Sequence, residues 1–165
     1  MNSKKVQRVA LSMLASAITI ALASCGEGSK EKVLSPEELQ LADIVKSRQA
    51  GFQDIGASFK AISDEMKAGR LDSATVDFSI RNLNTYAQNV HNWFPEGSGP
   101  ELGVKTEASA KIWEKPEEFA EAVSNFEAAI STLSAEKADT NKLGANFARA
   151  GGTCKSCHDV FRLED

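Results

Sequence analysis

Two thiols and an imidazole stand together near the end of this sequence, as Cys154-Lys155-Ser156-Cys157-His158. The pattern C-x-x-C-H is the attachment signature of c-type haem, and its spacing follows from the chemistry. On a helix or turn, two thiols three residues apart reach the two vinyl groups along one porphyrin edge. The adjacent imidazole then points at the iron from the same side. The motif therefore predicts one covalent haem c on Cys154 and Cys157, with His158 as the iron ligand. Other chemistries need features the sequence lacks. A thioredoxin-like C-x-x-C wants a βαβ setting. A zinc site needs two more ligands, and only His91 and carboxylates remain. A disulfide is permitted in an oxidising compartment, but cysteines three apart on a helix staple almost nothing. A chance match is on the order of one in a thousand.

These residues need a scaffold, and the apolar spacing supplies four helices. Ser35-Pro36-Glu37-Glu38 opens the first, with Ser35 as N-cap, Pro36 at the first helical position and Glu38 completing a capping box. Leu41, Val45, Phe52, Ile55, Phe59, Ile62 and Met66 follow at alternating four-three spacing, with Arg48 filling one place, and Gly69 ends the helix. A second helix from Asp72 or Ser73 carries Val76, Ile80, Leu83, Ala87, Val90 and Phe94, and Pro95-Glu96-Gly97-Ser98-Gly99-Pro100 breaks it. A loop to about Lys115 holds Trp113. The third helix opens at Pro116 and shows Phe119, Val123, Phe126, Ile130 and Leu133. The fourth opens near Asp139 and shows Leu143, Phe147, Ala150, Cys154, Cys157 and Phe161. No β-period stretch competes. The expected fold is all-α: an antiparallel up-down-up-down four-helix bundle with a covalent haem near the C-terminus.

In that topology the end of the fourth helix lies near the start of the first and the end of the second. The haem should then meet Arg48, Phe52, Val90, His91 and Phe94. Met66, the only methionine past residue 24, lies fourteen residues beyond Phe52, roughly 21 Å along a helix, and reads as plain core. His91 is at the correct end but beside the stripe, so a solvated or capping role is favoured over ligation. Phe52 cannot ligate iron; it packs the core, and it can also crowd the sixth position and exclude water. That leaves a five-coordinate, His-ligated iron behind an apolar lid. Arg48 either meets a haem propionate through charge-assisted bonds or snorkels from the bundle end. Arg162 follows His158 by four residues, so it reaches the proximal ring face or a propionate, or acts as a helix-end cation. Gly151-Gly152 leaves room for close approach, although glycine also weakens a helix.

The N-terminus and the charge balance set the compartment and the partners. Lys4, Lys5 and Arg8 precede an apolar run from Val9 to Ala23, too short to span a membrane comfortably and suited to a secretory signal peptide. Ala21-Leu22-Ala23 is an A-x-A cleavage site, and Leu22-Ala23-Ser24-Cys25 resembles a bacterial lipobox. The lipobox is preferred because it gives the third cysteine, Cys25, a role as lipid anchor. The layout is then residues 1–24 as a signal peptide, 25–34 as a tether and 35–165 as the bundle, in the periplasm and held at a membrane by lipid. Without residues 1–24 the chain carries 16 Lys+Arg against 23 Asp+Glu, a formal −7. That disfavours nucleic acid and suits basic partners. Ordinary hydrophobic content of 42% excludes a disordered chain.

The sequence resembles cytochrome c′, the class II c-type cytochromes, over roughly residues 35–165. The resemblance rests on Arg48-Gln49 with Phe52 one turn on, Phe94-Pro95-Glu96-Gly97-Ser98, Ile112-Trp113, and Cys154-Lys155-Ser156-Cys157-His158 followed by Arg162. Small class I cytochromes c mostly carry the motif near the N-terminus. The resemblance implies a homodimer packed through the first two helices. It also implies a high-spin five-coordinate iron that binds the diatomic gases NO and CO and largely excludes larger ligands. It places Phe52 at the distal steric position, Phe94 at a second distal apolar position, Arg48 at the propionate and Arg162 on the proximal side. Low-spin relatives place a Met near the start of the first helix, and none stands there. Three functions are weighed: gas binding with electron transfer to unidentified redox partners, a six-coordinate electron carrier, and an enzyme such as a peroxidase. The last is disfavoured because the stripe offers Phe where catalysis wants a polar acid–base group.

Overall fold

The computed structural model describes residues 33–163. The expected signal peptide, Cys25 and nearly all of the expected tether lie outside the described residues. Helix α1 runs Pro36–Lys67 and begins where the local chemistry directs it. The Glu38 amide donates to Ser35 Oγ at 3.2 Å, and the Ser35 amide donates to Glu38 Oε2 at 2.8 Å. This reciprocal box satisfies two of the orphan donors of a helix start. At the far end Gly69 turns the chain at φ 72°, a conformation that costs glycine no Cβ clash.

Helix α2 runs Ala74–Ala87, capped by Ser73. It ends two turns earlier than its apolar spacing predicts. Gln88 and Asn89 tighten into a turn, with the Asn89 amide donating to Tyr86 O at 2.9 Å. Val90 therefore stands in a 3-10 turn, Val90–Asn92, and Phe94 lies beyond it. Pro95 reinforces the break, because a residue before proline is pushed out of the helical region. The expected loop to Lys115 has structure of its own: a 3-10 turn Pro100–Leu102 and a short helix α3, Lys111–Glu114, that carries Trp113. Helices α4, Pro116–Ala135, and α5, Thr140–Phe161, begin at the predicted places.

The four long helices form the antiparallel bundle. α1 packs on α2, α2 on α4 and α4 on α5. Ile62, Ile80, Leu83, Ile130, Leu133 and Leu143 fill its centre with no exposed surface. The remaining side, α1 against α5, lacks close backbone packing and is bridged by side chains at one end. There the Phe59 and Phe147 rings meet at 5.3 Å. Toward the other end, a Cβ added at Gly56, Gly151 or Gly152 would meet only open space.

The buried line of α1 differs from the predicted stripe. It runs Ala42, Val45, Arg48, Gly51, Ile55, Ser58 and Ile62, and Phe52 is displaced from it to 36% exposure. The cause is Trp93. Its indole lies over Gly51, so close that a Cβ there would stand 2.6 Å from the ring. An aromatic side chain from the α2–α4 connection thus fills the place an α1 side chain would otherwise take.

Candidate haem site

The last turns of α5 place the motif between two apolar clusters. Cys154 packs against the central core, and Cys157 packs with Ala108, Ile112, Phe161 and Phe94. Both are free thiols. Burial, and then the charge of Cys157, push the Cys154 thiol up to about 11, and burial also raises that of Cys157. Two protonated thiols in apolar surroundings suit addition to the vinyl edge of a porphyrin better than they suit binding a bare cation. Among the described residues no three His, Cys, Asp or Glu side chains gather as a metal site. His158, one residue on, is exposed. The protein around it, and next the Arg162 guanidinium, hold its imidazole below the ordinary histidine range.

Arg162 lies just past the helix rather than on its face. α5 ends at Phe161, and Arg162 turns to extended backbone at φ −102°, ψ 140°. Its amide still donates to His158 O at 3.1 Å, while its guanidinium Nε donates to Glu107 Oε2 at 2.7 Å. The reason is a short antiparallel bridge between Ala108 and Arg162, which draws the chain end onto the α2–α4 connection.

Arg48 is buried to 3% exposure, so the snorkelling arrangement does not occur here. Nη1 donates to Trp93 O at 3.3 Å and Ser98 Oγ at 3.2 Å, and Nη2 donates to Ser98 O at 3.1 Å and Thr106 Oγ1 at 3.0 Å. The guanidinium also lies 4.5 Å from the centre of the Phe94 ring, a cation–π contact. All four acceptors are neutral, and burial lowers the Arg48 pKa to about 10. A buried cation surrounded by neutral acceptors retains its demand for an anion.

Phe94 links the two halves of the site. Its ring lies 6.2 Å from Phe52 and 4.9 Å from Phe119, and Phe119 lies 5.3 Å from Phe161. Phe52 stands edge-on to Trp93 at 5.2 Å. The Trp113 indole fixes the base of this group by donating to Phe94 O and Pro95 O at 3.3 and 3.2 Å. The structure thus gathers Arg48, Phe52 and Phe94 into one cluster and joins them through aromatic rings to the end of α5.

His91 and Met66 stand apart. His91 is exposed and lines a groove of about 220 Å³ with Phe119, Ser124 and Glu127 on α4. Met66 lies near Gly144, ten residues before Cys154 and so roughly 15 Å along α5. A groove of about 570 Å³ runs between α4 and α5 past Glu121, Arg149 and Thr153. It takes Cys157 and Phe161 from the residues above into its lining. Sequence reasoning missed Trp93, Ser98, Thr106 and Glu107. A glycine at residue 51, inside a helix and next to the predicted stripe, with two tryptophans elsewhere in a chain of few aromatics, was the available signal for the first.

These residues fit haem c. The thiols are correctly spaced and apolar in setting, the imidazole is adjacent, the charge of Arg48 meets no anion among the described residues, and Gly151 and Gly152 leave open space. Known proteins agree. Residues 43–162 match the family described as Cytochrome C'. A cytochrome c' of Pararhodospirillum photometricum is 35% identical over 121 residues, covering 72% of this chain and 94% of its own. Cytochrome c prime from Shewanella frigidimarina superposes with a TM-score of 0.68 at 28% identity, covering 75% of this chain and 97% of the other. The nitric oxide complex of a mutant cytochrome c prime from Alcaligenes xylosoxidans superposes with a TM-score of 0.66 at 26% identity, covering 75% of this chain and 97% of the other. Motif, bundle and matches agree: the chain belongs to the cytochrome c′ family, which binds one covalent haem c.

Proposed function

We propose that this protein is a periplasmic haem c protein whose iron, ligated by His158 alone, binds nitric oxide and carbon monoxide on a face shielded by Phe52. Cys154 and Cys157 would hold the porphyrin through thioethers, and the buried Arg48, whose four hydrogen-bond acceptors are all neutral, would give a propionate a nearby positive charge. The haem supplies the redox-active, gas-binding iron. Phe52 and Phe94 would crowd the distal side and exclude water, and Arg162, whose amide donates to His158 O, would lie on the proximal side. The observation that carries this reading is the make-up of the Phe52 cluster, whose neighbours are Trp93 and Phe94 rings. They offer neither a sixth ligand nor a proton-transfer group, which disfavours enzymatic catalysis. The nitric oxide complex of the Alcaligenes xylosoxidans relative supports gas binding.

The optical spectrum of the ferrous protein tests this. A high-spin five-coordinate spectrum that changes on adding CO is expected. A low-spin six-coordinate spectrum without added ligand would refute the reading and leave an electron carrier, with His91→Ala testing that residue as the second ligand. Phe52→Ala should admit ligands larger than diatomic gases.

The same reading gives residues 1–24 as a lipoprotein-type signal, Cys25 as the lipidated mature N-terminus, 25–34 as the tether and 35–165 as the bundle, assembled as a homodimer through α1 and α2. Palmitate labelling that disappears in Cys25→Ala supports the anchor; unchanged labelling refutes it. Sedimentation of the holoprotein reports the dimer.

A further inference from the structure

Tyr86 is the one tyrosine of the sequence, and it stands as a phenol beside a base. From the last turn of α2 its hydroxyl donates to Asp54 Oδ2 of α1 at 2.5 Å, a short bond of the charge-assisted kind. Asp54, and next burial, hold the phenol proton above the ordinary tyrosine range, so the ring is neutral at rest. Its ring stands at 72° to the Trp93 indole with centres 6.0 Å apart, and Trp93 stands edge-on to Phe52 at 5.2 Å. Gly51 admits the indole against the α1 backbone and so fixes the middle of this row. A phenol–carboxylate pair is thus joined by consecutive ring contacts to Phe52, the residue read above as shielding the iron. The other tryptophan, Trp113, gives its N–H to two carbonyl oxygens, which are poor bases. Of the two ends of this group of rings, the Tyr86 end is the one with a carboxylate to receive a proton.

A phenol that loses an electron becomes a strong acid, so its oxidation is easy where a positioned base takes the proton in the same step. Hydrogen peroxide creates the demand for such an electron. It has no more heavy atoms than a diatomic gas, and its reduction to water takes two electrons, of which a ferrous haem supplies one. Without a second donor the O–O bond breaks to release hydroxyl radical. Resting on the haem reading above, we propose that Tyr86 supplies the second electron through Trp93 while its proton passes to Asp54, which guards the protein against peroxide at its own haem. The step balances: one ferrous iron, one peroxide, one phenol and one proton give ferric iron, a phenoxyl radical and two waters. The O–O bond breaks, iron and phenol each lose one electron, and peroxide gains both. One of the two protons taken up comes from Tyr86 by way of Asp54, and the other comes from solvent. Tyr86 is only half-buried, so a soluble reductant such as ascorbate can return its hydrogen atom.

The test uses holoprotein whose pyridine haemochrome reports covalent haem and whose CO spectrum reports an open iron position. The protein is reduced with dithionite, freed of it, mixed with hydrogen peroxide and freeze-quenched for electron paramagnetic resonance. A tyrosyl radical is expected, and in this chain it has one possible address. Tyr86→Phe keeps the ring and removes one oxygen. It should abolish the signal and raise both spin-trapped hydroxyl radical and haem bleaching several-fold. Asp54→Asn keeps the tyrosine and removes the base, so the tyrosyl yield should fall several-fold, and Asp54→Glu should restore part of it. The CO spectrum of each variant reports that its haem pocket is intact. The proposal is overturned if the parent protein forms no tyrosyl radical, or if Asp54→Asn forms as much as the parent. Unchanged bleaching in Tyr86→Phe overturns the guarding role. Protein without covalent haem, or six-coordinate without added ligand, overturns the haem reading and this proposal with it, and the haemochrome and CO spectra separate that failure from the others.

Discussion

Arg48→Met removes a guanidinium and keeps most of the side-chain volume. The guanidinium donates four hydrogen bonds, to Trp93 O, Ser98 Oγ, Ser98 O and Thr106 Oγ1. At about 1.5–2 kcal/mol for each bond to a charged group, their gross loss is about 6–8 kcal/mol. The variant recovers several kcal/mol by no longer burying a charge, which leaves a net loss of about 3 kcal/mol. For a domain of this size that lowers the Tm by about 10 °C. Urea unfolding of the holoprotein followed by far-UV circular dichroism should show a lower midpoint at an unchanged slope. Hydrogen exchange should locate the loss. The Ser98 and Leu102 amides, bonded to Pro95 O and Gly99 O, should exchange faster while the centre of α4 stays protected. Arg48→Lys, with one donor nitrogen, should recover only part of the loss. A cost below about 1 kcal/mol for Arg48→Met, against the several that breaking a buried polar network carries, would refute the reasoning. So would equal loss of protection in α4.

Two glycines on α1 should respond in opposite directions. Gly51→Ala drives a methyl into the Trp93 ring, a cost of about 1–3 kcal/mol that outweighs the helix-propensity gain, whereas Gly56→Ala meets nothing and should stabilise by about 0.5–1 kcal/mol; thermal melts of both decide this. In protein made without haem, the Cys154 thiol, pushed up to about 11, should alkylate at pH 8 on the order of a hundredfold more slowly than an open-chain cysteine. Its folded pKa lies above the unfolded one, so its contribution to stability is complete below the ordinary thiol range and is lost as pH rises through about 11; urea midpoints across that window check the sign. Ser35→Ala breaks the capping box and should cost about 1 kcal/mol, measured by the same unfolding curves.

The bundle and the attachment motif were legible in the sequence because each rests on local chemistry. The capping box at Ser35, the prolines at 36 and 116, and the C-x-x-C-H spacing are decided within a few residues. The cluster around Arg48 was less legible, since its partners come from positions 45–58 residues away. Periodicity marked Arg48 as an interruption but could not show that Ser98 and Thr106 would receive it. The end of α2 was misread for a related reason: Val90 and Phe94 continue the apolar spacing, yet tertiary packing in a turn satisfies the same pattern as a helix. Arg162 was placed by counting along a helix that stops one residue before it, where a pairing with Ala108 takes over.

The side of the bundle between α1 and α5 joins the first and last helices, and it is held by side chains alone. Its neighbours α1–α2, α2–α4 and α4–α5 are all built from segments adjacent in sequence, so they can assemble by short-range steps. Closure of the ring depends on the most distant parts of the chain finding each other. The attachment cysteines ride on α5, the helix that completes this closure.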